Sequence, residues 1–223
     1  MALLALLLSL GSWQLRRGLD KQALMQRMDA AAQAQPERIS SSSPVPAADE
    51  ELARHIELTG RFDPSRQLLL DNQSFDGRPG YHVWTLLQTG GSGLLVDRGW
   101  IPQPVERARP PELAVDADLR TVSGLWRPLP RPALRMGGDA CPADDWPRIA
   151  QYPRLADLEC LYGGAISDGV LLLDPDAADG YRRRWSVGAE IPPSRHYGYA
   201  AQWYALAVTL LVLFVRTNRK AKR

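Results

Sequence analysis

Cysteine, histidine and phenylalanine are scarce in this chain. Of its 223 residues, two are cysteine, three histidine and three phenylalanine. Cys141 and Cys160 are too few for a disulfide framework. Outside the cytoplasm they can pair; as two unrelated thiols they need not, and both readings stand. His55, His82 and His196 are far apart in sequence, and no HExxH, CxxC or P-loop pattern accompanies them. The Gly-Gly-Ser-Gly run at 90–93 lacks the spacing of a nucleophile elbow and the third glycine of a dinucleotide fingerprint. Asp144 and Asp145 are neighbours in an irregular stretch and read as solvated rather than as a metal pair. An enzyme needs convergent catalytic groups, and none is legible, so the chain is expected not to be one.

Charge of one sign is concentrated in one place only. Residues 216–223 hold five of the 27 Lys and Arg and none of the 25 Asp and Glu. The remainder therefore has 22 cations against 25 anions, a formal −3. No basic stripe marks a nucleic-acid surface. The basic tail instead follows an apolar run: residues 197–215 carry no charge and only one strongly polar side chain, Gln202. At about 1.5 Å rise per residue, such a run matches the hydrocarbon thickness of a bilayer. Tyr197, Tyr199, Trp203 and Tyr204 crowd its first two turns like an interfacial aromatic belt. A transmembrane helix is expected over 196–215, with the cations of 216–223 on the cytoplasmic side.

The other end is also apolar. Residues 1–13 are short for a span, no basic n-region accompanies them, and no small-x-small cleavage site in them is followed by a plausible mature start. They are expected to form an uncleaved membrane helix over 1–15, although Arg16 and Arg17 beyond it oppose the positive-inside bias that the tail obeys. Small residues recur at three- and four-residue spacing at Ala2, Ala5, Ser9 and Ser12, and again at Ala201, Ala205 and Thr209. Stripes of this kind let membrane helices approach closely. If the two stripes meet, a row formed by His196, Ala200 and Trp203 faces away from the first helix.

Residues 16–195 are expected to form one extracytoplasmic domain. The helix continues over 15–34, and the Pro- and Ser-containing run at 35–48 reads as a linker. Short strands are expected at 55–62, 67–72, 81–88, 94–101, 119–126 and 169–174, with a helix over 154–162 that stops at Gly163 and Gly164. The GGSG run is a hairpin turn between 81–88 and 94–101. No alternation of strands and helices appears. The fold class is α+β: two terminal transmembrane helices flanking an antiparallel β-sheet or small β-barrel with one or two short helices. Strict alternation along 94–101 puts Arg98 on one face with Val96 and Trp100, and Asp97 on the other. An arginine among apolar neighbours needs a carboxylate, an aromatic face or the anionic group of a ligand.

Three stretches stand out: Gly11, Trp13, Gln14 and Arg16 after the first helix, Gly80-Tyr81 with Arg98-Gly99-Trp100 in the body, and His196, Tyr199-Ala200 and Trp203 in the closing helix. In this order they resemble the pattern of the surfeit-locus (Surf/Shy) family of cytochrome c oxidase assembly factors. The resemblance implies a double-anchored membrane protein that matures haem-copper oxidase by binding haem a and delivering it to the catalytic subunit. Its partners are then that subunit, haem and membrane lipid, without nucleic acid. A scaffold that clamps oxidase subunits without touching haem is the alternative. The implied cofactor-binding residues are His196, as a ligand to the haem iron, with Trp203, Ala200 and Arg98. At about 100° per residue, Ala200 and Trp203 return to the face of His196. The alternative for His196 is an interfacial role beside the tyrosines. No amphipathic Arg- and Ser-rich leader precedes the first helix, so the expected location is a bacterial inner membrane, with two spans and the main domain in the periplasm.

Overall fold

The computed structural model describes residues 2–49, 53–104, 113–131, 145–185 and 192–220. Their elements are α1 (Ala2–Gln33), β1 (Glu37–Ile39), β2 (Arg54–Phe75), β3 (Arg78–Gln88), β4 (Gly93–Pro102), β5 (Leu119–Arg127), β6 (Arg148–Ala150), α2 (Leu155–Tyr162), β7 (Ile166–Leu173) and α3 (Pro193–Lys220). They fall into two compact units. One comprises Met1–Gln26 with Val187–Arg223, and the other Arg27–Ser186.

The second unit is built on β2, a 22-residue strand. Its first half pairs antiparallel with β5 and its second half with β3. β3 pairs with β4, β4 with β7, and β7 with β5. The ring β2–β3–β4–β7–β5 thereby closes on itself, and the expected sheet-or-barrel is a closed five-stranded barrel. Closure removes the exposed edges that an open sheet would carry. One pairing departs from the antiparallel expectation: β4 and β7 run parallel, joined through a crossover that includes α2. The short strands β1 and β6 lie outside the ring and pair parallel with β2. They formed no part of the expected pattern, because a three-residue strand carries too little alternation to be seen.

Two expected strands, 55–62 and 67–72, are one. The Asp-Pro-Ser-Arg run at 63–66 has turn chemistry: Asp63 Oδ1 accepts from the Ser65 and Arg66 backbone N–H groups and from Ser65 Oγ. The strand absorbs this as a register shift between Phe62 and Gln67 and continues. Asp76 and Gly77, with φ of 49° and 75°, make the two-residue turn from β2 into β3.

Ile56, Leu58, Phe62, Leu87, Leu94, Val96, Val122, Trp126, Leu171 and Leu173 form one buried cluster. All five ring strands contribute to it, which makes it the barrel interior. The opposite faces of β2, β3, β4 and β7 are covered by α2 through Leu158 and Tyr162. α2 ends on Gly163, which takes the left-handed conformation and returns its N–H to the Glu159 carbonyl. Cys160 on α2 is disulfide-bonded; the chain's other cysteine, Cys141, lies outside the described residues.

α1, whose residues up to Gln26 belong to the first unit, runs unbroken to Gln33, as the sequence leads one to expect. α3 is the one helix among the described residues that is long and apolar enough to cross a membrane. Within Pro193–Arg219 an 18-residue stretch has a mean hydropathy of 1.6, and only 11 % of that stretch is buried within the protein. Leu206, Val208, Leu211, Val212, Leu213 and Phe214 are exposed. A core helix would cover such side chains; a helix in lipid need not. α1 does not meet the same measure of length and hydropathy, although Leu3, Leu6, Leu8, Trp13 and Leu15 are exposed along it.

Candidate functional site

The helical unit brings the two ends of the sequence together. Gly18 of α1 lies against Tyr197 and His196 of α3, and Gly11 against Tyr204, so the helices run antiparallel. A Cβ on Gly18 would come within 2.6 Å of the Tyr197 ring, and one on Gly11 within 2.8 Å of the Tyr204 ring. The buried stripe on α1 is Leu7, Gly11 and Gly18, and on α3 it is His196, Ala200 and Ala207, with Trp203 and Tyr204 half-buried. Steps of four and seven residues on α1, and of three and four on α3, are those of a left-handed helix pair.

This reverses the expected packing. Ala5, Ser9, Ala201, Ala205 and Thr209 are exposed, and the row of His196, Ala200 and Trp203 turns toward α1 rather than away from it. Two physical reasons are visible. Glycine allows closer backbone approach than alanine or serine, and the hydroxyls of Ser9 and Thr209 are spent on carbonyls of their own helices. Polar pairs also cross the glycine face. Ser12 Oγ and Tyr204 Oη are 3.0 Å apart, Tyr197 Oη donates to Gln22 Oε1 at 2.6 Å, and His196 Nδ1 donates to Gln14 Oε1 at 2.8 Å.

His196 is thus 9 % exposed with Nδ1 engaged. Among the described residues Nε2 takes no hydrogen bond. His55 differs: its Nδ1 meets the Ala34 carbonyl at 2.7 Å and its Nε2 the Asp174 carboxylate at 2.9 Å. Two acceptors require both ring nitrogens to be protonated. Burial disfavours that charge, the hydrogen bonds and the Asp174 charge outweigh burial, and the net shift in pKa is upward. His55 is a structural histidine whose protonated form these contacts favour.

In the barrel unit, Arg98 and Asp97 are both buried. Alternation fails between them and Trp100. Trp84 pairs with Asp97 and His82 with Trp100, so residues 98 and 99 together oppose Val83. This β-bulge is made possible by Gly99 at φ 112°, a conformation closed to most residues. Asp97 and Trp100 consequently share a face, and Arg98 points the other way, correcting the face assignment expected for Arg98 and Trp100. Asp97 receives three donors: His82 Nδ1 at 2.8 Å, Trp84 Nε1 at 3.0 Å and the Gly99 N–H at 2.9 Å. His82 also packs against Trp185.

Arg98 closes one end of the barrel interior. Its Nε donates to the Asp179 carbonyl, Nη1 to Gln67 Oε1 and Nη2 to the Ala114 carbonyl, at 2.7–3.1 Å. The guanidinium lies over the rings of Phe62 and Tyr181. Among the described residues no carboxylate is within ion-pair distance of it, and burial lowers its pKa. Of the three kinds of partner anticipated, the aromatic face is the one the protein supplies.

A model of the SURF1 family matches residues 1–208. The chain belongs to the SURF1 family. No curated protein matches it.

The family's motif residues now have physical roles in this SURF1-family chain. Gly80 lies under Trp100, where a Cβ would come within 2.4 Å of the indole. Gly99 makes the bulge that brings Asp97 to three donors. Gly11 and Gln14 contact α3, whereas Trp13 is exposed. His196, Ala200 and Trp203 lie on one helix in the first unit, and Arg98 belongs to the second. A haem iron is held by a nitrogen such as an uncommitted imidazole Nε2, and His196 fits that requirement. Ala200 is 3 % exposed in the helix contact and does not offer the open floor that an outward row would have given. Sequence reasoning missed the Gln14–His196 pair and the His82–Asp97–Trp84 cluster. Gln14 stands within a matched motif, but no spacing rule links it to a residue 182 positions away.

Family membership supports a general role in cytochrome oxidase assembly and a place at the membrane.

Proposed function

We propose that this protein is a non-enzymatic, double-anchored assembly factor that holds haem a through His196 and passes it to the catalytic subunit of a haem-copper cytochrome oxidase. The observation that supports the haem reading is the state of His196: its Nδ1 is occupied by Gln14, and its Nε2 takes no hydrogen bond among the described residues. Haem is cargo in this scheme, and its iron accepts the imidazole nitrogen. Trp203, half-buried about two helical turns further along, supplies an apolar edge. α1 is the second anchor, and the tail at 216–223 sets both ends in the cytoplasm and the barrel in the periplasm of a bacterial inner membrane. A phosphatase fused after Ser43 is then active and one fused after Arg223 inactive; activity at both positions defeats the two-span arrangement.

A scaffold that binds no haem is favoured by the same hydrogen bond, because a histidine joining two membrane helices needs no further purpose. Oxidase maturation separates the two. In cells lacking the native protein, the His196→Ala chain is expected to accumulate in the membrane at normal level. The haem a content of the catalytic subunit should nonetheless fall to that of cells with no copy. Normal haem a content with this variant leaves the scaffold as the better account.

A further inference from the structure

We infer that Gln14 is a positioning residue that sets the tautomer and ring plane of His196, so that Nε2 is the nitrogen presented as a ligand. The inference rests on the haem reading only for its consequence; the tautomer itself is a property of the protein alone. A neutral imidazole carries its proton on one nitrogen or the other, and the hydrogen bond it makes decides which. Here the acceptor is an amide oxygen, 2.8 Å from Nδ1, on the opposing helix. An oxygen acceptor fixes the proton on Nδ1 and leaves the lone pair on Nε2.

The surroundings hold this arrangement in place. Gly18, one turn from Gln14 on α1, lets the helices close until its own Cα faces the His196 Cβ; an added Cβ would lie 3.3 Å from it. Tyr197 bonds to Gln22 on the same helix, which pins the turn of α3 that carries the histidine. His196 is therefore held from its own backbone, from its flank and at Nδ1. Histidines that ligate metals usually donate their second N–H to such an acceptor, and removing it typically costs about 10–100-fold in metal affinity. Gln14 supplies that contact from the far end of the chain, so assembling the ligand requires the helix pair.

The test uses the full chain in detergent and two variants of opposite sense. Without haem, the 15N resonances of the His196 ring are expected to report the Nδ1–H tautomer, and in Gln14→Leu the Nε2–H tautomer should gain population. With haem a added, Gln14→Leu should weaken retention at least about tenfold and raise the midpoint potential, because the imidazole becomes a poorer donor. Gln14→Glu places a stronger acceptor at nearly the same atoms and should lower the potential. Ring resonances and potentials unchanged in both variants would overturn the inference. The haem reading fails separately: if His196→Ala keeps haem a as the unaltered protein does while Gln14→Leu still shifts the tautomer, the positioning role stands and the ligand role does not.

Discussion

Asp97→Ala is expected to destabilise the barrel by about 3–5 kcal/mol, the range for breaking a buried charged pair by removing one partner. Asp97 is 4 % exposed and receives an imidazole, an indole and a backbone N–H. Alanine strands all three donors where water cannot replace the carboxylate. The loss also reaches the bulge, because the Gly99 N–H contact holds the backbone at φ 112°. Urea unfolding of the full chain in detergent, followed by near-ultraviolet circular dichroism of the buried tryptophans, should show the midpoint falling. Asp97→Asn isolates the charge. Burial of His82 disfavours its protonation, but the charge and hydrogen bond of Asp97 more than offset this, and the His82 pKa is raised. The folded state then holds a proton that the unfolded state has released. This contribution is complete below about pH 6.5, the ordinary histidine value, and is lost as pH rises through the higher folded-state pKa. His55 has the same sign and persists in both proteins. The stability difference between the unaltered chain and Asp97→Asn should therefore shrink as pH rises through that window. A difference independent of pH would show that His82 is not charged in the fold.

Arg98→Met is expected to cost about 2–4 kcal/mol, from buried acceptors left without donors at about 1–3 kcal/mol each. Methionine matches the stem of arginine, but it takes the cation from over Phe62 and Tyr181 and offers nothing to Gln67 or to the carbonyls of Ala114 and Asp179. The cost falls short of the sum because buried arginine itself bears a desolvation penalty, visible in its lowered pKa. Arg98→Lys should recover little, since one ammonium cannot span three acceptors set around a planar fork. The same urea titration reads both variants. An Arg98→Met protein as stable as the original would show that the guanidinium does not hold the barrel end, and would reopen a ligand as its partner.

Local chemistry was legible and long-range pairing was not. The strands at 81–88 and 94–101 and the helix at 154–162 follow from alternation, glycine punctuation and a left-handed cap, all written in neighbouring residues. The closure of β2 on β5 joins residues some sixty positions apart, and no periodicity records it. The Asp-Pro-Ser-Arg run misled because its hydrogen bonds are those of a turn, yet the strands on either side have partners that carry the chain through. At Arg98 the sequence indicated a buried cation in need of company, but strict alternation gave Trp100 the wrong face, because one glycine inserts a residue and reverses the pleat. In the helix pair, alanine and serine stripes drew the eye. The contact was instead made by two glycines seven residues apart, a spacing too sparse to read as a packing stripe. Helical arithmetic placed His196, Ala200 and Trp203 on one face correctly, but which way that face turns depends on the other helix.

The absorption spectrum of the full-length protein, purified from cells that make haem a, tests the central claim most directly when read beside that of His196→Ala. Loss of His196 removes one interhelical hydrogen bond, worth about 0.6 kcal/mol on average between membrane helices, so the variant should still insert and purify. The account predicts a pigmented protein with the bands of haem a and a colourless variant. A colourless original, or a variant with the same spectrum and the same affinity for haem a, would contradict it.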